Sequence, residues 1–591
     1  MTTFRVWAPR PTLVDLLTVT PGSTTASHRD GERVVRSMTR GDGGWWSLDL
    51  PDSGPGTDYG FLLDGEGPFP DPRSPFQPDG VHGLSRTVDH TAFDWSDDGW
   101  SQPPLDTAVI YELHVGTFSE AGTFDGVIGH LDHLVELGIT HLELMPIVEF
   151  PGRRGWGYDG VDLYAPHHQY GGPDGLRRLV DACHARGLAV LIDVVWNHLG
   201  PDGSYLARFG PYFTDRYRTP WGAAVNFDAA GSDEVRSFVL DNARMWLEDY
   251  HADGLRIDAV HAIFDQSATT ILEAVATSVH ALGDQLGRPL VAIAESDLND
   301  PRLVRDVAHG GYGFDAQWSD DFRHALHVTL TGERDGYHAQ YEGIADLATA
   351  LRNVFVYDGR YSAFRGRSHG RPVGDLPATR FVGYLQNHDQ VGNRALGERI
   401  GQLVPPEAVR AAAAIVLLGP FVPLIFAGEE WAASSPFLYF TDHEDENLAA
   451  AVREGRRREF PELHSAHVVV PDPQARATFE QSRLDWSEQT RTTYAATLRW
   501  YRELVAYRAA HPILADGTRP DVAADAGQRW ISLSRPGLCI VVNLSGADRS
   551  IPVGGGRLRV ALASEPEIEL DGSLLRLPAW SAAVLEDVAG A

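Results

Sequence analysis

The chain has 591 residues, 43% of them hydrophobic and 22% charged, the balance of an ordinary globular protein with roughly two to four domains. Fifty Lys and Arg stand against 81 Asp and Glu, and the formal net charge of −31 argues against nucleic acid or an anionic membrane as a partner. No apolar run approaches bilayer length, and Met1-Thr-Thr-Phe-Arg-Val-Trp-Ala-Pro9 carries no basic and apolar leader, so a cytoplasmic protein without membrane contact is expected. The two cysteines, Cys183 and Cys539, then read as buried free thiols.

Residues 4–9, 13–19, 32–38, 45–50 and 58–63 are short strand-like runs divided by Gly, Pro, Asp and Ser. They predict an N-terminal β-sandwich over 1–90. Residues 71–80 are Pro-rich and read either as a linker or as an irregular packed connection, and 91–105 leads on to a new rhythm. A strand-like run at 108–118 precedes helical spacing over 127–137, with Gly138 as a cap. A strand at 141–147, a helix at 176–186 and a continuous apolar strand at 188–195 follow, then a helix at 232–250 and a strand at 255–260. Further strands at 290–294, 314–318, 380–385 and 422–426 bring the number to eight. Eight strands with helices between them predict a central (β/α)8 TIM barrel over 106–512, with a short insertion after the third strand at about 199–230. A helix near 494–508 leads to strands at 529–534, 539–544, 558–563 and 582–585, an antiparallel C-terminal β domain over 513–591.

The most informative stretch is Gly254-Leu-Arg-Ile-Asp-Ala-Val-His261. Alternation along a strand puts Arg256 and Asp258 on one side, where the cation keeps the carboxylate ionised and aimed. An ionised Asp at a strand end suits a covalent glycosidase nucleophile, although an Arg–Asp pair alone is more often a structural ion pair. Other strand ends decide between these. The third strand ends in Asp193-Val-Val-Trp-Asn-His198, the fifth in Ala294-Glu-Ser296, the seventh in Gln386-Asn-His-Asp389. Polar groups thus gather at the barrel rim where active sites lie.

These four stretches, in this order, resemble the four short conserved regions of the α-amylase superfamily of glycoside hydrolases. The resemblance implies that Asp258 is the nucleophile, Glu295 the general acid and then base, and Asp389 the third carboxylate of a retaining mechanism. It further implies that Arg256 orients Asp258, that Asp193 braces Arg256, and that His198 and His388 donate to the sugar while Tyr158 stacks on its ring. His261 joins this set of substrate-binding positions. Glu295 follows an apolar run that allows burial of its carboxyl. Many relatives hold calcium through the Asn that matches Asn197, but 199–230 has no evident cluster of oxygen ligands, so no metal and no cofactor are expected, and Asn197 is expected to make loop hydrogen bonds instead.

Longer stretches narrow the resemblance. Gly155-Trp-Gly-Tyr-Asp-Gly-Val161, Tyr164-Ala-Pro-His167, Thr219-Pro-Trp-Gly222, Gly428-Glu-Glu-Trp431 and Pro436-Phe-Leu-Tyr-Phe-Thr-Asp-His443 look like the maltooligosyltrehalose trehalohydrolases. That implies hydrolysis of the α-1,4 bond next to a terminal trehalose, with maltooligosyltrehalose as substrate and maltooligosyltrehalose synthase as pathway partner. The loop over 357–367, with Phe364 and Arg365, is a candidate for recognising the trehalose end. Glycogen-branching and debranching enzymes are the nearest alternative, and a non-catalytic glucan-binding scaffold a remote one.

Overall fold

The computed structural model describes residues 2–20, 32–460, 469–554 and 558–588. At the N-terminal end two antiparallel sheets face each other. Thr2–Trp7, Trp45–Leu50 and Thr39–Arg40 form one, and Glu32–Ser37, Val14–Thr20, Asp58–Leu63 and Glu66–Phe69 the other. Phe4, Val6, Leu16, Trp46 and Phe61 are buried between them, as the period-two pattern requires. Residues 71–80 carry no strand, yet Ser74 and Gln77 are fully buried there. Of the two readings for this stretch, the packed connection is the one observed.

These sheets dock on the segment that follows the third barrel strand. Trp7 meets Tyr212 edge to face at 5.3 Å, and Phe61 meets Phe209 at 6.2 Å. Arg10 donates to the Ala207 carbonyl, and Arg73 donates to the Tyr164 hydroxyl at 2.8 Å while pairing with Asp241.

Eight parallel strands close the central barrel: β1 Ile110–Leu113, β2 His141–Leu144, β3 Ala189–Val194, β4 Gly254–Ile257, β5 Val291–Ala294, β6 Ala316–Trp318, β7 Phe381–Tyr384 and β8 Val422–Phe426. β8 pairs with β1 to complete the ring. Ile110, Leu191, Ile293, Val382 and Leu424 pack in its interior, while Val190, Ile192, Leu255 and Ile257 belong to the outer core under the helices. Both faces are therefore covered, which explains the continuous apolar runs. Gly254 opens β4 because a Cβ there would lie 2.4 Å from a Val291 methyl and 2.6 Å from its carbonyl.

The strand expected at 108–118 stops at Leu113, and Val115–Phe118 is a short helix. Its four residues are all buried, and apolar periodicity cannot separate a short buried helix from a strand. The helix expected at 127–137 is two helices, Phe124–Ile128 and Leu131–Leu137, broken at Gly129 and His130. Gly138 is the left-handed cap expected of it, with φ +89°. The insertion after β3 holds a helical turn, Leu206–Phe209, and a hairpin of Phe213–Thr219 with Gly222–Val225.

The helix Thr492–Ala510 buries Trp500, Tyr501, Leu504 and Val505 and leads to the C-terminal sheets. One has the order Asp521–Asp525, Trp530–Arg535, Leu538–Asn543, Ser581–Asp587, Leu558–Ala563, and the other pairs Arg549–Pro552, Leu574–Leu577 and Glu569–Asp571. The strands at 521–525, 549–552, 569–571 and 574–577 are not among those the sequence pattern predicts; each is only three to five residues long. Both cysteines are free; Cys183 is buried as expected, but Cys539 is only half-buried, at the margin of the apolar cluster between the C-terminal sheets.

Candidate active site

The C-terminal ends of β3, β4, β5 and β7 deliver the predicted residues to one rim. Arg256, on β4, points inward and is wholly buried, its guanidinium 4.3 Å above the Trp318 ring. Nη1 donates to both oxygens of Asp193 at 2.8 Å and to Asp258 Oδ1 at 2.9 Å. Nη2 lies 2.9 Å from Glu295 Oε2 as an ion pair, outside hydrogen-bonding angles. One cation thus gathers three carboxylates. A fixed fork serves here where a single ammonium could not.

β4 ends at Ile257, so Asp258 is the first residue beyond the strand. Its amide still bonds the Val194 carbonyl at 3.0 Å, which holds it in line with Arg256. Ala259 then turns sharply with φ +41°, and its N–H donates to Glu295 Oε2 at 2.8 Å. Asn197 goes beyond the loop hydrogen bonds expected of it: Nδ2 donates to Asp258 Oδ2 at 2.7 Å and to the Asp258 carbonyl at 3.1 Å. The Asp258 carboxylate is therefore fixed from both sides.

Asp389 sits in the first turn of a short helix, His388–Gly392, capped by Asn387, which accepts from the Asp389 and Gln390 amides. Tyr158 donates to Asp193 Oδ2 at 2.6 Å and stacks on His388 with centroids 5.1 Å apart. His388 Nε2 lies 2.8 Å from the Tyr158 hydroxyl, and Nδ1 bonds Glu112, a buried residue of β1. His198 has Nε2 3.0 Å from the Tyr158 carbonyl and Nδ1 on Asn197. Both ring nitrogens of each predicted sugar-donating histidine are thus engaged by the protein. His261 lines the cleft, and its buried Nδ1 has no partner.

Burial disfavours a charge on His388, but the Glu112 and Asp389 carboxylates outweigh it and raise its pKa to about 9. A histidine raised in the fold stabilises fully below its unfolded value of roughly 6.5, and that contribution is lost as pH rises through about 9. Urea midpoints followed from pH 6 to 10 should therefore fall across this window, and Glu112→Gln should flatten the fall. An unchanged slope in that variant would count against the pairing.

Asp258, Glu295, Asp389, Tyr158, His198 and His261 line one open cleft of about 350 Å³. Sequence reasoning missed several of its walls. Trp221, at the tip of the hairpin after β3, is 51% exposed and stacks on His198 at 4.8 Å. Asp159, Asn393 and Tyr439 line the same space. For Trp221 the available signal is the stretch Thr219-Pro-Trp-Gly222, in which an aromatic stands between Pro and Gly at a turn. Phe364 and Arg365 lie elsewhere, in an adjoining cavity of about 210 Å³ that shares Asp389 and Asn393 with the first. Phe364 is 53% exposed, and Arg365 Nη1 donates to Asp297 Oδ2 at 2.8 Å. Among the described residues, two groups could hold a cation, Glu149 with His167 and His168, and His327 with Glu333 and His338. Neither includes a residue that lines the cleft around Asp258.

The barrel and its rim define a glycosidase of the α-amylase type: the alpha amylase catalytic-domain family model matches residues 92–218. A malto-oligosyltrehalose trehalohydrolase from Arthrobacter ramosus is 49% identical over 94% of each chain, and one from Rhizobium sp. (strain M-11) is 46% identical over 99% of this chain and 97% of its own. The chain belongs to the malto-oligosyltrehalose trehalohydrolase family. A solved structure from Salmonella typhimurium, described as a candidate alpha amylase, shares 38% identity and a TM-score of 0.89 over 99% of this chain and 97% of that one.

Proposed function

We propose that the chain hydrolyses the α-1,4 bond next to the terminal trehalose of maltooligosyltrehalose, releasing trehalose with retention of configuration. The carrying observation is the single guanidinium of Arg256, which touches both Asp258 and Glu295 in one cleft. Two carboxylates reached by the two arms of one fork are close neighbours, and a retaining pair stands roughly 5–5.5 Å apart. Asp258, held by Arg256 and Asn197, attacks the anomeric carbon. Glu295 gives its proton to the leaving oxygen and later takes one from water. Asp389, on the facing rim, binds hydroxyls of the distorted ring and supports its developing positive charge. Tyr158, tied to Asp193 and His388, offers its ring to the sugar in this subsite. His198 and His388 shape the subsite through Tyr158, and donate to sugar only by exchanging those bonds for hydroxyls.

The leaving group departs on the side of the acid. Asp297 follows Glu295 by two residues and lines the second cavity with Phe364 and Arg365. We therefore assign that cavity to the trehalose end. A cytoplasmic setting and a synthase that makes the trehalose linkage belong to the same reading; no helix of the described residues is long and apolar enough to cross a membrane.

Incubation with maltotriosyl-trehalose, maltohexaose and amylopectin tests this reading. Trehalose should appear from the first with little action on the others. Preferential attack on α-1,6 branches would instead indicate a debranching or branching enzyme. Proton NMR of the first turnovers should show the new reducing end as the α-anomer; a β-anomer excludes the retaining mechanism.

A further inference from the structure

Behind the second cavity lies a cluster of one arginine and three histidines with no assigned role. The helix Asp320–Thr331 carries Arg323, His324 and His327, and His338 approaches from the following turn. Arg323 is 3% exposed. Its Nη1 lies 3.3 Å from His324 Nδ1 and 3.0 Å from His338 Nε2, and its Nη2 lies 3.4 Å from His327 Nδ1. A guanidinium has donors only. Each of these three imidazole nitrogens must then be the accepting, unprotonated one. The tautomers follow without further choice. His327 carries its proton on Nε2, and that atom meets Glu333 Oε2 at 2.7 Å, as it should. Glu333 is in turn fixed by Arg394 at 2.9 and 3.0 Å.

For His324 the same logic places the proton on Nε2. Burial, then the Arg323 charge, lowers its pKa well below the ordinary value, so the ring stays neutral at physiological pH. His324 lines the cavity with Phe364 and Arg365, its ring 4.5 Å from Tyr337 and 5.4 Å from Tyr341. Among the described residues, no hydrogen-bond partner meets its Nε2. The nearby carboxylates are already engaged: Asp297 by Arg365, and Asp320 by the Tyr384 hydroxyl at 2.6 Å. A neutral donor with fixed direction is therefore presented to a cavity whose acceptors are mostly spent.

We infer that His324 is a sugar-binding residue of the second cavity, donating from Nε2 to an oxygen of the outer glucose of an α,α-1,1-linked disaccharide, and that Arg323 is the positioning residue that fixes this tautomer. The inference rests on the assignment of that cavity to the trehalose end. Maltose and trehalose differ in where the outer ring places its oxygens, so a donor locked in direction discriminates where a freely rotating one would adapt.

The test uses the full chain with His324→Phe, which keeps a ring but no donor, and His324→Gln, which restores one. Trehalose is the probe, as a competitive inhibitor, and kcat/KM is compared for maltotriosyl-trehalose and maltohexaose. His324→Phe should raise the inhibition constant of trehalose about tenfold and lower the preference for the trehalosyl substrate by a similar factor. His324→Gln, whose amide donor turns freely, should recover most of the trehalose inhibition but little of the preference between substrates. Equal losses on the two substrates, or unchanged trehalose inhibition, would overturn the assignment. Should His324→Phe not fold, ¹⁵N spectra of histidine-labelled wild type decide. The His324 signals should report the Nε2–H tautomer and move on adding trehalose; an Nδ1–H tautomer or static signals would overturn it. Wild type separates the two readings: if it releases no trehalose at all, the proposed function has failed, whereas retained selectivity in His324→Phe refutes only the role of His324.

Discussion

Asp258→Ala should reduce release of trehalose from maltotriosyl-trehalose by a factor on the order of 10⁴ or more, with its secondary structure by circular dichroism unchanged. The expected loss is large because, on the proposed mechanism, the carboxylate supplies the bond-forming oxygen, and no neighbour can replace it. Asp193 is locked on both oxygens by Arg256 and bonded by Tyr158. Glu295 is held by the Ala259 amide on the leaving-group side. The fold should survive, since Arg256 keeps Asp193 and Glu295 as counterions and no charge is stranded. Azide distinguishes a missing nucleophile from a damaged site. It should enter the space left by the carboxylate and restore turnover, giving a glycosyl azide of β configuration. Near wild-type turnover in Asp258→Ala would dismiss the mechanism outright.

The second large effect is on stability. Arg256→Leu leaves Asp193, Asp258 and Glu295 converging on an apolar side chain, with Glu143 also buried nearby in the barrel. Asp193 is 1% exposed and has no route to water. Breaking a buried ion pair from one side costs about 3–5 kcal/mol, and here one cation serves three anions. The urea midpoint should fall accordingly. The deficit should shrink as pH is lowered, because protonating the stranded carboxylates removes the repulsion the arginine had cancelled. Arg256→Lys should recover only part, as an ammonium cannot bridge three carboxylates in one plane. A midpoint equal to wild type at neutral pH would show that the charges are compensated elsewhere.

The sequence made the barrel legible because its strands are covered on both faces and so read as unbroken apolar runs, of which Ala189–Val194 is the clearest. The proposed catalytic carboxylates are legible because each follows such a run directly or within a few residues. What escaped was decided by direction or by distance. Glu112 lies in an ordinary strand pattern, and only the closing of β8 onto β1 brings it beneath His388. Asn197 was placed correctly but read as a loop residue, since its contact with Asp258 crosses from one strand end to the next. Arg323 and His324 lie on the helix Asp320–Thr331, which the sequence pattern leaves unread, and polar residues beside an apolar stripe such as Phe322, Leu326 and Leu330 ordinarily face solvent. The short C-terminal strands, such as Glu569–Asp571, are held by their partners more than by their own composition.

The N-terminal sheets line neither cavity around Asp389. Yet Trp7 and Phe61 grip Tyr212 and Phe209, and the hairpin carrying Trp221 begins at Phe213, the next residue in the chain. The first domain is thus a splint for the arm that hangs over the cleft. Cutting it away would blunt the grip on substrate while sparing the carboxylates, so its loss would surface as a fault of affinity in a protein whose chemical step is whole.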